Sequence, residues 1–262
     1  MGGKVIWLGA GAAPGVPSLS FGWGHCRADN PKNFRTRTST FVEIGGVRIL
    51  IDTCPDIRGQ MVQNNIRHLD AVLYTHAHAD HVHGIDDLRE VNRIMGTNLC
   101  IYGGAKTIRY IKHNFSYLIA KADKVKNVVR TPSLVPCVVK ANHPFFIKGV
   151  KVMPIKLLQH CPECLGYVFN DGEYVHIADF KRVADSAFKA VFGRPKLMSI
   201  PLTTPYGAIQ HAGLDEVRNV IGRFNPERVV INHMASECDY DEVNAATDDN
   251  VLPAYDGLKI EF

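Results

Sequence analysis

Residues 76–81 read His76-Ala77-His78-Ala79-Asp80-His81, three imidazoles and a carboxylate on a very short stretch of chain. Side chains alternate along an extended segment, so His76 and His78 point to one side. A turn after them then presents Asp80 and His81. Neutral ring nitrogens with a charged oxygen are the donors that borderline divalent metals favour. A structural metal site is usually completed by a second, distant pair of ligands, whereas a catalytic one keeps a position open for water. A His-rich surface loop has no need of this spacing. The motif also follows directly on the apolar run Ala71-Val72-Leu73-Tyr74, which reads as a strand that would aim it.

The elements around it are short and β-branched. Strands are predicted at Lys4–Leu8, Ser39–Ile44, Val47–Asp52, Ala71–Thr75, Leu99–Tyr102, Val150–Lys156, Gly166–Asn170, Tyr174–Ala178, Leu197–Ile200 and Arg228–Asn232. Gly45-Gly46 and Asp171-Gly172 read as tight hairpin turns. Helical periodicity marks Asp86–Met95, Lys106–Ile119, Val183–Phe192, Leu214–Phe224 and Asp241–Thr247. A hairpin-rich first half followed by strands and helices predicts packed sheets covered by helices, a layered α/β arrangement.

The chain has 262 residues, of which 46% are apolar, and a formal charge of +4. That apolar fraction suffices for a large core and excludes disordered and collagen-like classes. No Pro/Gly/Ser-rich linker or repeat interrupts it, so residues 1–262 are read as one domain. So mild a charge gives no argument for a nucleic-acid or membrane polyelectrolyte partner. No apolar run is long enough to span a bilayer, and Val5-Ile6-Trp7-Leu8 is too short for a signal peptide. The 7 cysteines are odd in number and scattered, which fits reduced thiols and a cytoplasmic location.

Residues 76–81 match in full the His-x-His-x-Asp-His signature of the metallo-β-lactamase superfamily, and the chain resembles that family from about Val5 to its C-terminus. The resemblance implies a four-layer αββα sandwich and two divalent metal ions, Zn²⁺ or Mn²⁺, with Fe²⁺ also suited. It implies further ligands at strand ends in family order. Here these are His160 after Lys156-Leu157-Leu158-Gln159, Asp179 after Tyr174–Ala178, and His233 after Arg228–Asn232. By the resemblance His76, His78 and His160 hold one metal, Asp80, His81 and His233 the other, and Asp179 bridges them. His176 and His143 compete for these places. Alternation along its strand turns His176 away from Asp179, and His143 precedes a proline at a strand start.

Finer features resemble the phosphoribosyl cyclic phosphodiesterase branch of carbon–phosphorus lyase pathways. They are Gly9-Ala10-Gly11 with Gly15-Val16-Pro17, Ile51-Asp52-Thr53-Cys54-Pro55-Asp56, and Gly84-Ile85-Asp86-Asp87-Leu88-Arg89. Relatives there carry an extra zinc on three cysteines and a histidine. Here only Cys26 remains of the cysteines and Ser236 stands at the histidine position, so no such zinc is expected. Cys161-Pro162-Glu163-Cys164 directly follows His160. With no second Cys-x-x-Cys it reads as two thiols in a loop rather than a redox pair or half a zinc site. No long Gly/Pro-rich arm suggests tRNA binding.

The resemblance places His211 at the substrate phosphate, where imidazole suits a general acid. Arg35, Arg37 and Arg89 are candidate phosphate contacts, because guanidinium forks onto two oxygens. The implied activity is a dinuclear metal-dependent phosphodiesterase acting on a small cyclic or nucleotide-like substrate. A hydroxide shared by the metals would attack phosphorus, with Asp80 as ligand and orienting group and His211 protonating the leaving oxygen. Competing readings are a thioester or lactone hydrolase, a tRNA-processing nuclease and a non-catalytic metal-binding protein. The expected partner is a small phosphorylated molecule, without membrane or stable nucleic-acid complex. A homodimer is compatible with the sequence.

Overall fold

A computed structural model describes residues 2–119 and 133–262. Its first half builds one sheet from β1 (Gly3–Gly9), β2 (Ser39–Ile44), β3 (Val47–Ile51), β4 (Ala71–Leu73), β5 (Leu99–Gly103) and β6 (Leu134–Val138). The last strand of the chain, β15 (Leu258–Glu261), returns to its edge beside β1 and gives the order β15-β1-β2-β3-β4-β5-β6. Gly45 and Gly46 both take positive φ in the two-residue hairpin between β2 and β3, the geometry that matches strand twist. From β3 to β6 the pairing is parallel, so these strands end at the same edge.

The second sheet holds β8 (Val150–Leu158), β9 (Cys164–Phe169), β10 (Tyr174–His176), β11 (Arg182–Val183), β12 (Leu197–Pro201), β13 (Arg228–Asn232) and β14 (Val251–Pro253), with β7 (Phe145–Ile147) paired to β8. Its strands β10, β12 and β13 are parallel. Strand β8 runs with them, because β9 is antiparallel to both β8 and β10.

Three apolar clusters make the layers. Val5, Trp7, Ile49 and Leu73 of the first sheet pack face to face with Val152, Tyr167, Phe169 and Val230 of the second. On the outside of the first sheet, Leu50, Val72 and Ile101 are covered by α1 (Ile57–Gln63), α2 (Ala79–Val82), α3 (Leu88–Met95) and α4 (Ala105–Asn114). On the outside of the second, Val168, Met198 and Val229 meet α5 (Asp185–Phe188), α6 (Leu214–Phe224) and α7 (Tyr240–Ala245). This is the αββα sandwich. Among the described residues no helix is long and apolar enough to cross a membrane.

Most expected strands are present within a residue or two of their bounds. The periodicity read as a helix over Val183–Phe192 is the main correction. Val183 is the end of β11 and pairs with Leu157, and only Asp185–Phe188 closes a helical turn before the chain reaches Gly193 and Pro195. Part of Lys106–Ile119 becomes α4 and a short 3₁₀ turn at Ser116–Leu118. Strands β6, β7, β11, β14 and β15, and helix α1, carry too few residues or too little periodicity to stand out in the sequence.

Candidate metal centre

The carboxyl ends of β3, β4, β8, β10, β12 and β13 meet at one edge of the sandwich, and each projects a polar side chain there. Three residues at these ends take a left-handed backbone without being glycine: Asp52 (φ 60), Gln159 (φ 64) and His233 (φ 54). Such a conformation costs on the order of 1–3 kcal/mol and persists where surrounding contacts over-determine it, typically at functional sites.

Asp52 is the anchor. Its Oδ1 accepts from Thr75 N and its Oδ2 from Thr75 Oγ1, both at 2.8 Å. The same Oδ2 accepts from His81 Nδ1 at 2.7 Å. Thr75 Oγ1, having donated to Asp52, accepts from His76 Nδ1 at 3.0 Å. Both rings thereby keep a bare Nε2 lone pair. Helix α2, which carries Asp80 and His81, is locked onto the end of β3 by Thr53 N to His81 O and Gly84 N to Thr53 O. A Cβ at Gly84 would lie 2.0 Å from Cys54 O, so only glycine permits this approach.

Two donor groups result. His160 Nε2 lies 3.3 Å from His76 Nε2 and 3.1 Å from His78 Nδ1. Asp80 Oδ2 lies 3.4 Å from the Nε2 atoms of both His81 and His233. Asp179 Oδ2 stands between the groups, 3.5 Å from His160 Nε2, 3.3 Å from His233 Nε2 and 3.7 Å from His81 Nε2. The structure therefore brings the seven residues named from the sequence to one edge, with Asp179 Oδ2 between the two groups.

The donors fit metal ions. His160 Nδ1 donates to Gln210 O at 3.1 Å, which leaves its Nε2 lone pair facing two other imidazole nitrogens. Among the described residues, the Nε2 atoms of His81 and His233 are buried with no hydrogen-bond partner, an expensive state unless a cation takes the lone pair. Charge gives the same result. Burial opposes ionisation of Asp179, yet His233 and His81 hold its carboxyl well below the usual range. For Asp80, too, burial is outweighed by His81 and His233. Burial would lower His81, and the Asp52 and Asp80 carboxylates raise it instead. The cluster thus demands positive charge among its carboxylates.

His211 joins the edge from the loop before α6. Its ring is 4.7 Å from that of His160. Thr203 Oγ1 sits 3.2 Å from His233 Nδ1 and 3.1 Å from His211 Nδ1. With one hydroxyl proton, Thr203 accepts from His233 and donates to His211. His211 then carries its proton on Nε2, free to donate. Burial pushes its pKa down to about 4, so it is neutral in the free protein.

The three arginines named as phosphate contacts are engaged elsewhere, and the two histidines discounted as ligands stay out of the donor groups. Arg35 is 1% exposed, buried away from the surface. Its guanidinium donates to Cys26 Sγ (3.1 Å), Ala235 O (3.1 Å) and Cys238 O (2.8 Å), filling the space beside the thiol. Arg37 commits its fork to Asp56 through Nε and Nη2, both at 2.7 Å. Arg89 pairs with Asp86 on the surface. His143 is exposed, with its Nδ1 on Ala141 O of its own loop. His176 is buried against Tyr174 Oη at 3.1 Å. Sequence reasoning missed the roles of Asp52, Thr75 and Thr203, which act through another residue's ring. Position at a strand end was the signal available for Asp52 and Thr203.

Residues 47–234 match the family described as a beta-lactamase superfamily domain. The chain belongs to that superfamily, and its clustered His and Asp side chains form a candidate metal centre. The crystal structure of a PhnP-family diphosphatase superposes with a TM-score of 0.88 at 28% identity, covering 100% of this chain and 98% of that one. This agrees with the branch resemblance carried by Gly9–Pro17 and Gly84–Arg89. Zinc-bound PqqB from Methylobacterium extorquens shares the fold, with a TM-score of 0.73 at 20% identity and coverage of 98% and 99%. An octanoyltransferase of Porphyromonas gingivalis is 31% identical over 258 residues. The match takes in 98% of this chain and 51% of that protein, so the chain spans about half the length of this relative.

Proposed function

We propose that the chain is a dinuclear hydrolase of small phosphodiesters or diphosphates, with His76, His78 and His160 holding one metal, Asp80, His81 and His233 the other, and Asp179 shared. The observation that carries this reading is the position of Asp179 Oδ2, within 3.3–3.7 Å of ring nitrogens from both groups. Two such ions activate a water and take up charge on phosphoryl oxygens. The chain's own residues do the rest. Asp52, Thr75 and Thr203 fix the imidazole tautomers, and Asp80 orients the nucleophile at the second position. His211 presents Nε2–H toward the leaving oxygen. An anionic phosphate beside it favours the imidazolium, so the acid forms with substrate in place. Similarity to a diphosphatase supports attack at phosphorus.

Acyl or thioester hydrolysis by the same centre is the second reading. The half-length match to an octanoyltransferase favours it. Bis-p-nitrophenyl phosphate, a nucleoside diphosphate derivative and an octanoyl thioester should be assayed side by side with metal-loaded protein. Turnover of the phosphorus substrates with none of the thioester is expected, and the reverse would overturn the proposal.

A further inference from the structure

Loop 160–164 does more than deliver His160. Cys161 Sγ lies within 4.8 Å of the ligand nitrogens of His76, His78 and His160, as one member of a four-donor group. Two of those imidazoles, His76 and His160, are buried and aim bare Nε2 lone pairs into the same space. The loop is pinned on every side. Its Glu163 carboxylate accepts from Lys106 N (2.8 Å) and Thr107 N (3.1 Å) at the start of α4. Cys164 Sγ donates to Asp179 O at 3.2 Å, and Leu165 N to Thr75 O at 3.0 Å. The thiol of Cys161 is therefore held beside the imidazoles, its proton directed to the Glu163 carbonyl at 3.1 Å.

We infer that Cys161 is a thiolate ligand of the metal held by His76, His78 and His160. The assignment rests on the metal reading proposed above and revises the view of Cys161 as an incidental thiol. As the sulfur–metal bond forms, the S–H bond breaks and its proton goes to solvent. Beyond the shared Asp179, a thiolate with three imidazoles is a soft donor set that prefers Zn²⁺ to Mn²⁺, whereas Asp80, His81 and His233 offer a harder one. The two positions then differ in metal preference, and Cys161 sets the difference. Cys164 is a bystander, since its sulfur is turned to the Asp179 carbonyl.

The test uses apo protein titrated with Co²⁺. Wild type should bind two equivalents and develop a thiolate-to-cobalt charge-transfer band in the near ultraviolet. Cys161→Ser should still bind two equivalents without the band, and Cys164→Ser should keep it. In Zn²⁺/Mn²⁺ competition, Cys161→Ser should lose about tenfold or more of the preference for zinc, the scale on which supporting interactions tune metal sites. Two bound cobalt ions with no band in wild type, or a band that survives in Cys161→Ser, would overturn the assignment and leave the metal centre standing. Failure of wild type to bind cobalt at all would overturn both.

Discussion

Asp52 accepts the Nδ1–H of His81 at 2.7 Å, with both side chains fully buried. A carboxylate in this position fixes the ring's tautomer and raises its basicity as a ligand. The same carboxylate holds Thr75, and Thr75 holds His76, so one residue orients an imidazole in each donor group.

Asp52→Asn should therefore weaken metal binding without unfolding the protein. The amide offers one oxygen where the carboxylate offered two, and its NH₂ group disfavours the tautomer that leaves His81 Nε2 bare. Metal affinity should fall about 10–100-fold, as for other outer partners of ligating histidines. Chelator competition measures this, and unchanged affinity would remove Asp52 from the metal centre.

Asp179→Ala tests the bridge. It removes the oxygen shared by both groups, so metal content should drop below two equivalents and turnover should disappear. The apo protein should melt at a lower temperature, because removing one member of a buried set of opposite charges leaves His81 and His233 uncompensated. Elemental analysis beside a thermal melt separates the two effects. Near-full activity in the variant would show that the ligand assignment is wrong.

Arg35 shows where the sequence stops being legible. As a residue type it fits phosphate, and its neighbours in the chain say nothing about burial. Only the fold reveals that it braces Ala235 and Cys238, beyond His233. The ligands themselves could be read because a signature and strand ends mark them. Asp52 and Thr203 lie at strand ends too, but their role is not legible, since they act through rings that belong to other segments. Arg35→Met should destabilise the protein by about 1–3 kcal/mol, the scale for leaving buried acceptors without a donor. KM for a phosphodiester should hardly change in protein that remains folded. A raised KM with an unchanged melt would restore the phosphate role.

His176 governs an acid limb of stability. Burial pushes its pKa down to about 3, with His81 acting in the same direction, against 6.5 for an ordinary imidazole. The folded value is the depressed one, so the unfolded chain binds more protons between these limits. Stability is then fully present above about pH 6.5 and is lost as pH falls toward 3. His176→Phe keeps the volume and abolishes the titration, so urea unfolding of the apo variant should show a shallower decline from pH 7 to pH 4. Parallel profiles for variant and wild type would contradict the assignment.

His211 has the most chemically specific role to test. Held by Thr203 with its proton on Nε2, it can serve a leaving oxygen, and its value depends on how basic that oxygen is. A p-nitrophenolate departs without help, whereas an alkyl or ribose alkoxide needs a proton. A positioned acid contributes about 10²–10⁴-fold. His211→Ala should slow an alkyl phosphodiester by that factor and the p-nitrophenyl ester far less, with metal content unchanged. The pH dependence carries the same information. Burial holds the free residue at about 4, and the bound phosphate must raise it for the imidazolium to act. In wild type, kcat on the alkyl substrate should fall as pH rises through that substrate-bound pKa, because the acid loses its proton there. The variant should lack this limb. Equal losses on both substrates would instead make His211 a ligand for the phosphoryl oxygens. No loss on either would leave it as a residue that merely borders the site.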